Sequence, residues 1–238
     1  MAGTVRAVVA RREELTRSVV EVRLRPVEPP RVPFLAGQHF LVRFPGSGAE
    51  VPYSAASEPA DPEIRFLAKR EDASEPGRLA SLGEGDPVAF RGPFGAFVLD
   101  AEPSRDALFL AMGTGIAPIR AMVRHLLLRR GRRARVELVF GLRSEAEVFW
   151  DDEFRSLARE QAGLAYTLTL SRPGPAWPGR RGRVTAWLDA EAERLAGRAR
   201  AGALEAWICG SAEMVSQARE RLAALGLGPG LVHSEEQG

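Results

Sequence analysis

The stretch from Ala107 to Pro118, ALFLAMGTGIAP, constrains the second half of this chain more than any other. Ala107 to Met112 form an apolar run of strand length. Directly after the glycine turn, Ile116, Ile119, Met122, Val123, Leu126 and Leu127 recur at the spacing of one helical face. A strand that runs with so little spacer into a helix is the opening of a βα unit, which builds parallel sheets. The glycines of Gly113-Thr114-Gly115 let the backbone turn sharply and come close to a ligand. The helix that follows aims free N–H groups and its positive dipole end at an anion such as a pyrophosphate. Pro118 suits the first helical turn, where its missing N–H is harmless. Taken alone, the turn supports two readings: a phosphate cradle, and a turn that merely packs tightly.

The same alternation continues. Predicted strands at 107–112, 136–140, 164–170 and 206–209 alternate with predicted helices at 116–130, 145–160, 184–195 and 212–225. That pattern indicates an open parallel sheet with helices on both faces. The Ala/Arg/Glu-rich stretch 189–203 reads as a solvated helix plus loop. The first hundred residues follow another rule: short apolar runs at 5–9, 19–24, 40–44, 64–68 and 88–90, punctuated by Pro and Gly, suggest a small antiparallel barrel. The change of pattern over 102–106 places a domain boundary near residue 103, giving domains 1–102 and 103–238.

Composition narrows the function. With 238 residues, 45% hydrophobic and 27% charged, the chain can bury two separate cores. Net charge is only +2, yet Lys69 is the sole lysine, so the cations are guanidinium forks suited to phosphate oxygens. Neither a continuous basic stripe nor an aromatic platform is present, which argues against nucleic acid. A single cysteine, Cys209, excludes an intrachain disulfide, a cysteine-ligated iron–sulfur cluster and a Cys-rich zinc site. Any electron relay is therefore organic or carried by another protein. His39, His125 and His233 lack metal-site spacing. No apolar run reaches membrane-spanning length, so a soluble cytoplasmic protein without a membrane span is expected.

Four motifs then occur in order: Val51-Pro52-Tyr53-Ser54 on a predicted barrel strand, Gly77-Arg78-Leu79-Ala80-Ser81, the Gly113–Pro118 turn, and Cys209-Gly210-Ser211-Ala212-Glu213-Met214. Gly37-Gln38 and Gly92-Pro93-Phe94-Gly95 accompany the first two. Together they resemble the ferredoxin–NADP reductase family, whose flavin domain carries an Arg-x-Tyr-Ser strand and whose nucleotide domain carries a Gly-Thr-Gly-Ile-Ala-Pro turn. The resemblance implies an N-terminal antiparallel β-barrel that binds flavin, joined to a C-terminal α/β open parallel sheet that binds NAD(P). It implies hydride transfer between NAD(P)H and bound FAD, with electrons passed to a separate acceptor such as ferredoxin. FAD is expected over FMN, and NADP over NAD. The alternatives are an electron-transfer subunit of a larger complex, an NAD(P)H-dependent flavin or ferric reductase, and a nucleotide-sensing protein.

Carried over residue by residue, the resemblance lays Tyr53 along the flavin and puts the Ser54 hydroxyl near flavin N5. Leu67, Ala68, Lys69, Gly77, Arg78, Leu79, Ala80 and Ser81 complete the flavin set. Gly113, Thr114, Gly115, Ile116, Pro118, Arg143, Ser171, Arg172, Cys209, Gly210 and Met214 hold the nicotinamide nucleotide, with Ser171 and Arg172 on a 2′-phosphate. Ser54, Cys209 and Glu235 are the catalytic candidates, Cys209 through orientation and Glu235 through proton handling. Plainer readings stand beside these. Tyr53 is a core tyrosine, Ser54 an ordinary strand serine, Gly77 to Ser81 a barrel-crossing loop and Cys209 a buried structural thiol. Arg172 with Arg180, Arg181 and Arg183 is then a solvated basic loop. The chain departs from the family pattern twice. Val51 stands where the family has its phosphate-neutralising arginine, and Gln237 where it has an aromatic residue over the flavin. Arg11, Arg12, Arg65 and Arg70 read either as an attraction for an acidic partner or as solvating charges.

Overall fold

The N-terminal strands owe their form to alternation. Along β1 (Thr4–Glu14), Val5, Ala7 and Val9 point inward between exposed or half-buried residues, the period of a pleated strand with one wet face. The computed structural model describes residues 3–44, 49–70, 79–99, 105–128 and 135–237. They fall into two units, the first comprising Met1–Asp100 with Arg120–His125, the second Ala101–Ile119 with Leu126–Gly238. The predicted boundary at 103 lies outside the described residues.

In the first unit β1 is joined by β2 (Val19–Glu28), β3 (His39–Arg43), β4 (Glu50–Ser54), β5 (Ile64–Lys69) and β6 (Pro87–Phe94) in one antiparallel sheet of order β4-β3-β6-β1-β2-β5. Its two edge strands, β4 and β5, approach each other. Tyr53 meets the Phe66 ring edge-on at 6.1 Å, and just beyond β4 the Ala56 N–H donates to the Arg65 carbonyl at 2.8 Å. The sheet thus curls into a half-barrel. Phe40 fills its centre, packing edge-to-face with Phe90 at 5.2 Å, Phe34 at 5.6 Å and Phe66 at 6.1 Å, each pair adding about 0.5–1.5 kcal/mol beyond burial. Glu21 is buried but accepts from Arg23 at 2.6 Å, with Arg65 close by at 3.8 Å, as a buried charge must.

The arginines read from sequence as an attraction for an acidic partner are mostly neutralised locally. Arg11 pairs with Glu13, Arg12 and Arg70 with Glu14, and Arg65 with Glu21. These four cations share three carboxylates, so each is locally paired while the cluster keeps a small positive excess.

In the second unit six strands run parallel in the order β10-β9-β8-β7-β11-β12: β7 (Asp106–Met112), β8 (Val136–Leu142), β9 (Leu164–Leu170), β10 (Arg180–Arg181), β11 (Leu204–Gly210) and β12 (Val232–Glu236). The helices are α1 (Ile116–Leu128), α2 (Asp151–Glu160), α3 (Val184–Ala190), α4 (Ala192–Arg200) and α5 (Ala212–Ala224). β7 is buried throughout its middle, as a central parallel strand must be. Leu108 and Leu110 share a core with Val139, Ala206, Ile208 and the inner faces of α3 and α5. On the opposite face Phe140 packs against Phe149 and against Phe154 of α2. Helices therefore cover both faces, as expected.

Two predicted helices are broken. Over 145–160 the chain makes a 3-10 turn (Glu145–Glu147), turns left-handed at Trp150 with φ 56°, and only then enters α2. The physical reason is Phe149, which leaves the helical path to bury itself against Phe140. Over 184–195, Glu191 at φ −102° separates α3 from α4, letting Trp187, Leu188 and Leu195 all reach one core. The stretch 189–203 is correspondingly less solvated than expected. Leu195 is fully buried, and Arg198 bridges Asp106 at 2.8 Å and Glu137 at 3.0 Å. β10 and β12 were not foreseen, because one is two residues long and the other reads His-Ser-Glu-Glu after its first valine. Among the described residues no helix is long and apolar enough to cross a membrane.

Candidate functional site

The order of the parallel sheet reverses between β7 and β11: β8 and β9 extend from one side, β12 from the other. Loops leaving the carboxyl ends of neighbouring strands diverge at such a point, and ligands settle in the crevice between them. The residues leaving β7 there are Gly113-Thr114-Gly115, a 3-10 turn that passes directly into α1. The two glycines are needed for different reasons. Gly113 has φ +56° and nothing within 4 Å of where a Cβ would sit, so it supplies a left-handed backbone facing open space. Gly115 lies against β11: a Cβ there would stand 2.5 Å from the Cys209 carbonyl oxygen and 3.0 Å from the Gly210 nitrogen.

Beside this turn lies a cavity of 580 Å³, inside the range of small-molecule sites, roughly 300–1,000 Å³. The predicted residues Gly113, Arg143, Ser171, Arg172 and Met214 line it together. The loops after β8 and β9 are tied to each other, Arg172 N–H donating to the Arg143 carbonyl at 2.7 Å and Ser171 N–H to the Leu142 carbonyl at 3.0 Å. Both guanidiniums are exposed, and neither side chain pairs with a described acid. Arg183 is different: across the same cavity it is held by Glu213 at 2.8 Å. The open backbone at Gly113, the cavity and the free guanidiniums fit a phosphate-bearing nucleotide.

Sequence reasoning missed Glu147, Arg183, Thr185, Ser211, Glu213 and Gln217, which also line the cavity. Ser211 and Glu213 lay inside the Cys209–Met214 motif, and Ser211 carried a further local signal, a serine just before a helix. It is the N-cap of α5, accepting from Met214 N–H at 3.3 Å. Of the other predicted nucleotide residues, Thr114, Gly115, Ile116, Pro118, Cys209 and Gly210 are buried behind this surface.

Cys209 is fully buried, opposite Glu235 in the β11–β12 register. Burial, reinforced by the Glu235 carboxylate, pushes its thiol well above the ordinary range, and a hydrogen bond with the Gln237 side chain only partly offsets this. Such a thiol stays protonated and is no nucleophile. Gln237 N–H donates to the Gly210 carbonyl at 2.8 Å, and Thr114 Oγ1–H donates to Gln237 Oε1 at 3.1 Å.

In the first unit Tyr53 and Ser54 are half-buried on β4. Leu67 and Ala68 are buried on β5, with Lys69 exposed at its end. Ala68, Leu79 and Ala80 belong to the half-barrel core, so their side chains are committed to packing and only their backbone is available to a ligand. Ser81 is exposed at the end of a 3-10 turn (Leu79–Ser81), while Gly77 and Arg78 lie outside the described residues. Val51 packs against the same core. The nearby cation Arg91 does not replace the family arginine, because it is committed to Glu50, whose carboxyl it holds down at about 2 with help from Arg43.

Comparison with known proteins agrees with this architecture. Residues 109–220 match the family model of the oxidoreductase NAD-binding domain. The chain is 38% identical over 192 residues to ferredoxin–NADP reductase B of Sorangium cellulosum, covering 79% of this chain and 78% of that protein. It is 30% identical over 233 residues to the reductase component of propane 2-monooxygenase from Rhodococcus jostii, covering 93% of this chain but only 60% of that one. Among solved structures, the Amycolatopsis cytochrome P450 reductase GcoB superposes with a TM-score of 0.84 at 28% identity, over 98% of this chain and 69% of the other.

Proposed function

This chain belongs to the ferredoxin–NADP reductase family, and from that premise we propose that it is the NADPH-dependent, FAD-carrying form of such a reductase, delivering electrons to a ferredoxin. At the coarser level it is a flavin-dependent oxidoreductase that binds a nicotinamide nucleotide and serves a separate electron acceptor. Bound flavin and nicotinamide supply the hydride and electron-transfer chemistry; the protein supplies binding, orientation and electrostatics.

The assignment of residues 1–102 to flavin and 103–238 to NAD(P) rests on the distinct chemistry of the two halves. In the first, Tyr53 and Ser54 present a half-buried ring and a half-buried hydroxyl at the end of β4, suited to a flat, polar-edged ligand. In the second, Gly113 to Gly115 bring backbone close to a diphosphate, and Met214 and Ser211 fix the start of α5 beside it. Cys209, kept as the thiol, and Glu235 act on orientation and on proton handling respectively.

The observation that carries NADPH over NADH is the pair of unneutralised guanidiniums, Arg143 and Arg172, flanking Ser171 on the cavity. A 2′-phosphate would complete them, whereas an unphosphorylated ribose would leave them unmatched. One feature favours an alternative acceptor. The family's reductase components include that of propane 2-monooxygenase, so an oxygenase is the second reading.

The test is a visible spectrum of the purified protein followed by anaerobic titration with NADPH and NADH, then steady-state transfer to ferredoxin. Flavin absorbance bleached at lower concentrations of NADPH than of NADH is expected. Protein that remains colourless after incubation with FAD and FMN would refute the reading.

A further inference from the structure

Arg143 and Arg172 stand on different loops, one after β8 and one after β9, so whatever fixes the spacing of those loops also fixes which anion the two cations can share. As far as Arg172 the main chain supplies the tie, through the bonds from Ser171 and Arg172 to the carbonyls of Leu142 and Arg143. It can go no further, because the next residue is Pro173, which has no N–H to donate. Gly174 follows, and its N–H finds a side chain instead. Both oxygens of the Glu145 carboxylate face it, Oε1 accepting at 2.9 Å and Oε2 at 3.2 Å. Glu145 opens the 3-10 turn just after Arg143 and Ser144, so this one bond joins the two arginine-bearing loops beyond the point where the main chain stops doing so. The seat is tight: a Cβ on Gly174 would stand 3.2 Å from Glu145 Oε1.

The rest of the β9–β10 connection is closed on itself. At its base Gly182 N–H donates to the Leu170 carbonyl at 2.8 Å, and Thr169 Oγ1–H to the Gly182 carbonyl at 2.7 Å. Within it the Arg181 guanidinium donates to the carbonyls of Gly174, Pro175 and Trp177, at 2.9 Å, 2.9 Å and 3.2 Å. A connection cross-linked in this way passes a restraint at Gly174 on to Arg172, two residues before it. Glu145 meanwhile does not line the cavity, and among the described residues it forms no ion pair although arginines surround it. Resting on the NADPH reading above, we propose that Glu145 is a specificity-determining positioning residue: through Gly174 it clamps the Arg172 loop to the Arg143 loop at the spacing that a 2′-phosphate requires. Its effect is opposite to that of its charge. A carboxylate beside an anion site repels the anion, whereas as a clamp it favours binding, because a loop already held in its bound pose loses less freedom when the phosphate arrives.

Equilibrium titration of the flavin-loaded protein tests this with two probes that differ only in the 2′-phosphate, adenosine 2′,5′-bisphosphate and 5′-AMP. Glu145→Ala removes both charge and acceptor, while Glu145→Gln removes the charge and keeps an acceptor oxygen at the same reach. The alanine variant should bind the bisphosphate about two- to tenfold more weakly, the worth of one hydrogen bond, with 5′-AMP within about twofold of its original affinity. The glutamine variant should bind the bisphosphate at least as tightly as the unaltered protein does. Retained 5′-AMP binding also certifies the fold. If alanine leaves the bisphosphate unmoved or tightens it, if glutamine weakens it as far as alanine does, or if alanine weakens both probes alike, Glu145 is no such clamp. If the unaltered protein binds the bisphosphate no more tightly than 5′-AMP, the NADPH reading itself fails and this inference with it.

Discussion

Alanine at Gly115 tests the geometry on which the site depends. The added Cβ would meet main-chain atoms of β11 at 2.5 Å, 2.7 Å and 3.0 Å, where 3.4–4 Å is ordinary contact. β11 is bonded on one side to β7 and on the other to β12, so it cannot give way by a side-chain rotation. Relief requires a main-chain shift of about 1 Å, and overpacking of this kind costs about 1–3 kcal/mol. For a chain of this size each kcal/mol lowers the melting temperature by about 2–4 °C. Gly115→Ala should therefore melt several degrees lower in circular dichroism and lose nicotinamide-nucleotide binding. Gly113→Ala should also destabilise, by about 1–2 kcal/mol, through its left-handed backbone alone. The two mechanisms separate with asparagine: Gly113→Asn should recover much of the loss, because asparagine tolerates that region, whereas Gly115→Asn should not. Exposed Gly163, with nothing near its missing Cβ, is the control. A Gly115→Ala variant within about 0.5 kcal/mol of the unaltered protein, the scatter of neutral surface changes, would refute the reasoning.

Three further outcomes are expected. Arg172→Ala should raise the KM for NADPH about tenfold or more, the worth of a charge-assisted contact, with little change for NADH; equal changes for both would remove Arg172 from the 2′-phosphate. Glu50 has its folded pKa lowered from 4.5 to about 2, chiefly by the hydrogen bond from Arg91. Its contribution to stability is therefore complete above about pH 4.5 and lost as pH falls toward 2, so Glu50→Gln should flatten that part of a denaturation series taken from pH 5 to 2. Cys209, buried with its thiol pKa raised, should resist iodoacetamide at pH 8 until the protein is unfolded; rapid labelling of the native protein would contradict the orienting role.

Much of the fold was legible because its signals are local. The period-2 runs of the first hundred residues and the strand–glycine–helix run from Ala107 into α1 declare their structure without distant partners. The predicted strand over 164–170 coincides with β9. The errors arose where tertiary packing overrode local pattern. Phe149 breaks a predicted helix to reach Phe140, and β12 forms from a polar segment because β11 offers an unpaired edge. The site divides the same way. The glycine turn, Arg143, Ser171-Arg172 and Met214 carry motif signals. Arg183, Thr185 and Gln217 carry none, since what brings them together is the convergence of strand ends distant in sequence.

The sequence by itself determined the two halves and the phosphate-suited turn, because each depends on residue type and spacing over a few turns of chain. Only the tertiary structure decided that Gly115 must be glycine on account of Cys209, that Arg143 and Arg172 meet no acid among the described residues while Arg183 does, and that Gln237 reaches Thr114. Those facts are distances between groups far apart in the chain, and they come into being only when the parallel sheet sets its strands side by side.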